Sequence, residues 1–530
     1  MNILIALSIG LSCLIFAYRR LLNYLRFFQQ EEYDSGRFLQ WLINKITFDK
    51  KGTSLVVIGL LAQWMGARLY IIAIFLLGGF ALLAIYEPDP KKTGKKKLAM
   101  TARAKRIFLI GMATLAGLAT LLIIYFNETI TYWILFIQAI PFSLILANSI
   151  LHPYETAVQK RFWTEANQKI LKYKPITIGI TGSYGKTSVK HILGHLLETH
   201  APTLITPGSV NTPMGVARII REQLSAAHQY FVCEMGAYRM GSITALCDLV
   251  SPNYGIITAL GMAHYERFKS LDTVCKAKFE LAQSVLKGGG MMIIPETILT
   301  ADCATHSVSE NSNQFLVVKT NDGDQHTLSR YCLTAQGIEI EIIVNGVHYH
   351  AKVPIHGESH VMNIAVAFTM ACQLGMNPEH AVLALSTMPQ IQHRFEVKRL
   401  SNGVVLIDDA YNSNPEGFRR AVADMSIFLG INGRRILVTP GVVELGKKHD
   451  DIHHELGVMA ATKIDILIPV LPERIGSLVA GFTKNNSHGI VVPCNNFACA
   501  QDWINFNARE GDVILLENDL PDLYEQKPWF

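Results

Sequence analysis

The chain reads as an α/β protein preceded by apolar transmembrane helices, and three observations predict this. Apolar residues crowd into the first 151 positions. From about Lys174 onward, short β-branched runs alternate with helical stretches, the pattern of a mostly parallel sheet with crossover helices. One of these runs, Ile176 to Thr181, feeds a glycine turn that opens directly into a helix.

At 530 residues the chain has room for several domains. Half of its residues are hydrophobic and its mean hydropathy is +0.24, high for a purely soluble protein. A membrane region of residues 1–151, a linker of 152–173, an α/β domain of 174–392 and a smaller domain of 393–530 account for that distribution. The net charge of +5 is too small to argue for a nucleic-acid partner. Nine cysteines without a C-x-x-C pair predict a reducing compartment, with neither a disulfide framework nor a zinc site.

Within the apolar part, Ile3 to Tyr18 predicts a short anchor bounded by Arg19 and Arg20. The basic pair follows the apolar run, the reverse of a signal peptide. Ser54 to Tyr86, broken by Gln63, Gly66 and Arg68, is one long span or a hairpin of two. Ile107–Phe126 and Ile130–Leu151 are two more spans. The cluster Lys91, Lys92, Lys95, Lys96, Lys97, Arg103, Lys105 and Arg106 belongs on the cytoplasmic side, as does the basic stretch from Arg19 to Lys51. With both loops inside, the intervening run must cross an even number of times, which favours the hairpin. The soluble part then lies in the cytoplasm, as a multi-pass inner-membrane protein would place it.

The glycine turn is Gly182-Ser183-Tyr184-Gly185-Lys186-Thr187-Ser188. Strand, glycines, Lys-Thr and helix form a phosphate cradle. Backbone N–H groups and the helix N-terminus face the anion, the lysine neutralises it, and a hydroxyl holds Mg²⁺. The strict P-loop places a glycine where this chain has Ile180, so this is a shorter G-x-x-G-K-T version. An ordinary strand-to-helix turn has no need of Lys-Thr at that point. Tyr230 to Glu234 is a second buried strand, and its terminal carboxylate is placed to serve Mg²⁺. After a third strand, Tyr254–Thr258, come His264 and, on a helical stretch, Lys278. A free ammonium would repel a metal, so Lys278 serves one only as a CO₂-derived carbamate; otherwise it is an exposed helical lysine. An extended piece at Val353 leads into a helix, Asn363–Leu374, read as amphipathic.

Gly403–Asp409, Arg435–Thr439, Asp465–Pro469 and Gly511–Leu516 are the strands of a Rossmann-like C-terminal domain. His449-Asp-Asp-Ile-His453-His454 lacks the H-E-x-x-H acid and reads as a helix N-terminus with capping acids.

From about residue 174 to the C-terminus the chain resembles the Mur ligases, most closely the type that adds D-Ala-D-Ala to a UDP-muramoyl tripeptide. The resemblance rests on Thr181 to Ser188, Asn211-Thr-Pro-Met-Gly215, Glu234-Met-Gly-Ala237 with Gly241-Ser-Ile243, His264 to Ser270 and Ala277 to Glu280. It continues through Asn363, His393-Arg394, Asp408 to Pro415 and Glu444-Leu-Gly446. It implies that Lys186 meets the γ-phosphate, that Thr187, Glu234 and His264 serve Mg²⁺, and that Lys278 is carbamylated. It also implies Asn363 near the adenine, Arg394 and Asp409 on phosphate and ribose, and Tyr411 and Asn414 on the acceptor side.

Three features depart from the family. Its N-terminal UDP-sugar domain is replaced by apolar spans. Gly357-Glu-Ser-His360 stands for its Gly-x-His-Asn stretch, and Glu517-Asn-Asp519 for a basic K-G-S-R loop near the acceptor. An acid there would repel an acceptor carboxylate. The expected reaction is ATP-dependent amide formation through an acyl phosphate. The donor is a UDP- or lipid-linked muramoyl peptide, the lipid option following from the spans; the acceptor is an amino acid or dipeptide. A poly-γ-glutamate- or folylpolyglutamate-type ligase is the alternative of the same architecture. A membrane-tethered nucleotide-binding scaffold is the alternative of another class, and the complete cradle argues against it.

Overall fold

The computed structural model describes residues 3–44, 48–92, 97–125, 130–261, 270–320, 326–411, 414–443 and 445–518. The chain divides into two compact units, broken between Gln159 and Lys160.

The first unit is helical. Ser54–Tyr86 resolves into two helices, Lys50–Trp64 and Leu69–Tyr86. Among the described residues three helices are long and apolar enough to cross a membrane: Leu69–Tyr86, Ala102–Tyr125 and Tyr132–Tyr173. The 15 residues of Lys50–Trp64 reach only ~22 Å at 1.5 Å per residue, short of a ~30 Å hydrocarbon core. The N-terminal anchor differs from its expectation. Its helix runs unbroken from Ile3 to Gln30, so Arg19 and Arg20 lie inside it and do not flank it. Arg20 is 1% exposed, with Nε 3.2 Å from Asp49 and Nη2 3.3 Å from Glu87. Acids from the ends of two other helices neutralise the guanidinium, which is why a charge is tolerated there. Of the lysine cluster, Lys95 and Lys96 lie outside the described residues. Residues 152–173, expected as a linker, continue the long helix Tyr132–Tyr173.

The second unit holds two sheets. The first contains β1 (Ile176–Thr181), β2 (Thr203–Ile205), β3 (Tyr230–Glu234), β4 (Tyr254–Ile257), β5 (Met291–Pro295), β6 (Phe315–Thr320), β7 (His326–Thr334), β8 (Gly337–Val344) and β9 (Val347–Val353), in the order β2-β3-β1-β4-β5-β6-β7-β8-β9. Pairing is parallel as far as β7 and antiparallel across β7, β8 and β9. β1 lies between β3 and β4, so the turn after Thr181, the carboxylate of Glu234 and the end of β4 share the carboxyl edge, where open parallel sheets take ligands. Fully buried Ile178, Ile180, Val189, Ile192 and Leu193 bolt β1 to the helix Lys186–Glu198.

The helix Val361–Gln373 corrects the amphipathic reading: Val361 and every residue from Asn363 to Ala371 are buried. It packs between the helix after the cradle and strands of the central sheet, which leaves only its last residue, Gln373, exposed.

The second sheet comprises β10 (Glu396–Arg399), β11 (Val405–Asp409), β12 (Arg435–Thr439), β13 (Ile466–Pro469), β14 (Ile490–Val491) and β15 (Val513–Glu517), ordered β10-β11-β15-β12-β13-β14. All but β10 run parallel. Cys275 and Cys303 form a disulfide, which corrects the expectation of none. They are 28 residues apart and meet only because the helices Leu271–Lys287 and Asp302–Glu310 pack together.

Candidate active site

The turn after β1 is shaped by two glycines. Gly182 has φ 154° and Gly185 φ 84°, a left-handed conformation that costs other residues about 1–2 kcal/mol. Space is closed as well: a Cβ on Gly185 would stand 2.6 Å from Asn363 Oδ1, and one on Gly182 would strike the Thr258 hydroxyl. The turn is tied to the end of β4, since Ser183 N–H donates to Ala259 O at 2.8 Å and the Thr258 hydroxyl donates to Tyr184 O. Gly185 caps the helix Lys186–Glu198 with no side chain in the way, which leaves the first N–H groups facing outward.

Lys186 folds back so that Nζ donates to Gly182 O at 2.8 Å. Burial lowers its pKa, and the negative charge of Glu234 works in the opposite direction. Thr187 Oγ1 donates to Glu234 Oε2 at 3.0 Å. The same oxygen meets Lys190 Nζ at 3.2 Å, while Asn211 Nδ2 donates to Glu234 Oε1 at 3.1 Å. Glu234 is 1% exposed and Lys190 0%. Lys190, which also donates to Gly208 O, escaped sequence reading. Its signal was the i, i+4 spacing from Lys186, which puts both ammonium groups on one side of the helix.

Lys278 sits on the helix Leu271–Lys287 and is 3% exposed, not the surface lysine that was the alternative. Burial first, then the charge of Lys186, push its pKa well down. CO₂ adds to the neutral form of an amine, the form that this shift favours. Glu280, on the same helix, accepts from Gly241 N–H at 2.6 Å and Thr244 N–H at 3.0 Å, which caps the helix Ser242–Val250. That contact explains why the two stretches occur together. His264 lies outside the described residues, as do Glu266 and Glu444.

The C-terminal domain supplies the opposite wall. Arg394 Nη1 donates to Tyr411 O at 2.8 Å, and its guanidinium stands 4.8 Å from the Tyr411 ring centre. Burial lowers the Arg394 pKa, against the pull of Asp409. Asp409 accepts from Phe395 N–H at 3.1 Å, and burial raises its pKa to about 6 despite Arg394. The Tyr411 hydroxyl bonds Ser209 of the central domain, a cross-domain contact no spacing rule announces. Asn414 does a structural job: Oδ1 accepts from Gly417 N–H at 2.9 Å and caps the helix Pro415–Asp424. A cavity of about 480 Å³ is lined by Tyr184, Gly185, Ser188, Asn363, Arg394 and Asp409, with Tyr411, Asn414 and Glu517 also on its wall.

Asp450 and Asp451 occupy the first turn of the helix His449–Ala461, although no side chain caps it. His453 accepts from Val442 N–H at 3.0 Å and is buried for packing. Among the described residues one trio with metal-ligand spacing stands out, His393, Glu396 and Asp408, but Lys398 pairs with both of its acids.

Residues 180–371 match the Mur ligase middle domain and residues 393–517 the Mur ligase glutamate ligase domain, together more than half of the chain. The chain belongs to the Mur ligase family. Family members are ATP-dependent amide-bond ligases of peptidoglycan precursor synthesis. The chain is 27% identical to the UDP-N-acetylmuramoyl-tripeptide–D-alanyl-D-alanine ligase of Bacillus subtilis over 348 residues, 64% of this chain and 72% of that one. It is 29% identical to the Haemophilus influenzae enzyme of the same name over 290 residues, 54% of this chain and 61% of that one. The chain thus spans between about three fifths and three quarters of these relatives. In structure it is similar to MurF from Acinetobacter baumannii, with a TM-score of 0.59 at 25% identity over 68% of this chain and 77% of that one. The fold is shared with MurF from Thermotoga maritima in complex with ADP, with a TM-score of 0.59 at 22% identity, covering 70% and 82%.

Proposed function

We propose that this chain joins a muramoyl-peptide carboxylate to an amine at the expense of ATP. The observation that carries the reading is one cavity with the glycine turn on one wall and Arg394 and Asp409 on the other. A carboxylate does not condense with an amine at neutral pH. A carboxylate oxygen of the donor would attack the γ-phosphorus, with ADP leaving. The amine nitrogen would then attack the acyl carbon, losing a proton, as inorganic phosphate departs. Lys186 and the N–H groups of residues 185–188 would hold the transferring group, and Arg394 would meet its charge from the other domain. Asn363 would contact the adenine and Asp409 the ribose. Tyr411 and Asn414 stand at the mouth where the acceptor would enter.

Thr187 and Glu234 fit Mg²⁺, because a hydroxyl and a carboxylate 3.0 Å apart are the hard oxygen donors it takes. His264 and a carbamylated Lys278 would complete its surroundings. When bound, Mg²⁺ neutralises phosphate charge.

Three apolar helices favour a multi-pass placement in the cytoplasmic membrane, the catalytic domains on the cytoplasmic side, and a donor delivered at the membrane. The domain limits 1–151, 174–392 and 393–530 belong to the same reading. Full-length protein in bilayers, given ATP, an amine panel and either UDP-muramoyl tripeptide or its lipid-linked counterpart, should release ADP and a product heavier by the amine minus water. Failure to bind Mg·ATP would end the proposal. Turnover of the soluble donor alone would remove the membrane-delivered one.

A further inference from the structure

Arg394 lies between two residues that are not glycine and yet have left-handed backbones, His393 at φ 57° and Phe395 at φ 51°. Such a backbone persists only where its surroundings hold it. The peptide group joining Arg394 to Phe395 is held at both of its polar atoms. Its carbonyl, Arg394 O, is 3.1 Å from His360 Nε2, and its N–H, that of Phe395, donates to Asp409 Oδ1 at 3.1 Å. A carbonyl can only accept, so Nε2 carries the proton. Burial pushes the His360 pKa down to about 4, so the ring is neutral at physiological pH and Nε2–H is its one donor. His360 is 2% exposed and lines the cavity together with Arg394 and Asp409. It ends the stretch Gly357-Glu-Ser-His360, where the family has Asn in fourth place. An Asn side chain would carry its amide where the ring has Nδ1, one bond short of Nε2.

We propose that His360 is a positioning residue for Arg394: with Asp409 it clamps the peptide group that follows Arg394, and the clamp aims the guanidinium at the terminal phosphate of the nucleotide. The inference rests on the ligase reading above, in which Arg394 meets that phosphate. His360 reaches the clamp from the central domain and Asp409 from the second sheet. The far end of the side chain is fixed separately, with Nη1 donating to Tyr411 O at 2.8 Å. Backbone and fork are therefore both held, and a donor held in place needs no rearrangement when charge develops before it. The clamp also accounts for the two left-handed residues, since both hydrogen bonds depend on the orientation they give the peptide plane.

The test uses full-length protein in nanodiscs, titrated by calorimetry with two Mg²⁺-bound probes that differ by the terminal phosphate: ADP and adenylyl imidodiphosphate, a non-hydrolysable ATP analogue. His360→Asn loses the Nε2 donor. It should weaken the analogue about tenfold, the loss expected when one hydrogen bond to a charged group is misaimed, and leave ADP unchanged. His360→Gln, whose amide reaches as far as Nε2, should bind both probes as the wild type does. In Arg394→Ala there is no guanidinium to aim, so adding His360→Asn should cost nothing further. His360→Ala, which also lacks the donor, takes the place of His360→Asn if circular dichroism shows that variant unfolded. Equal weakening of both probes would mean that His360 touches the nucleoside itself, and overturns the proposal. So do an unchanged affinity for the analogue in His360→Asn, a selective loss in His360→Gln, and an additive loss in the double mutant. If the wild type binds neither probe, the ligase reading falls and takes this inference with it.

Discussion

Replacing Gly185 by alanine tests the cradle at its tightest point. Two separate costs follow from the structure. The residue sits at φ 84°, where an L side chain pays about 1–2 kcal/mol. The new Cβ would also stand 2.6 Å from Asn363 Oδ1, so that side chain must turn away. Turning breaks the bond from Asn363 Nδ2 to Ser359 O, 2.8 Å long and worth about 1 kcal/mol net. Gly185→Ala should therefore destabilise the central domain by about 2–3 kcal/mol and weaken Mg·ATP binding, because the turn can no longer close on the phosphates. A double-mutant cycle separates the costs. In Gly185→Ala/Asn363→Ala the collision is gone while the backbone cost stays, so the double mutant should be more stable than the sum of the singles by about 1 kcal/mol. Urea melts followed by a probe in the central domain, with nucleotide titrations alongside, provide the measurement. Wild-type nucleotide affinity in Gly185→Ala, or strict additivity in the cycle, would refute the account of the turn.

Lys186→Met should leave the fold intact and reduce ADP release at least a thousandfold, ~4 kcal/mol of barrier by the tenfold-per-1.36 rule, measured by coupled assay. Protein kept in ¹³C-bicarbonate should show a carbamate carbon resonance that Lys278→Gln abolishes, since burial and the charge of Lys186 lower the pKa of that amine. Asp424 accepts from Glu358 N–H at 2.7 Å, and burial raises its pKa from 3.8 to about 6. The native state keeps a proton that the unfolded state has lost between those values, so stability falls as pH rises through the window and is level above it. Asp424→Asn keeps an acceptor for Glu358, removes that slope, and should gain up to about 3 kcal/mol at pH 7 in denaturant melts.

Local chemistry made much of this legible. The cradle is a contiguous run, so its strand, glycines, Lys-Thr and helix could be read in order. Glu234 could be named because a strand carries its last side chain to a fixed edge. Lys190 was missed, although it holds Glu234, because an i+4 lysine on a helix is ordinary until its burial is known. Arg20 was misjudged for the same reason. A basic pair after an apolar run looks like a membrane flank, and only packing shows the guanidinium held between Asp49 and Glu87.

The order of residues alone determined that this protein has an apolar N-terminal region, a sheet ending in a phosphate cradle and a second parallel sheet behind it, because each is a periodic pattern confined to one stretch. The tertiary structure decided which distant residues share the cavity. Asn363 against Gly185, Tyr411 on Ser209, Cys275 with Cys303 and Glu517 beside Asp409 are separated by 28 to 202 residues in the chain. Periodicity carries no information over such spans; packing of the two sheets and their helices sets those meetings.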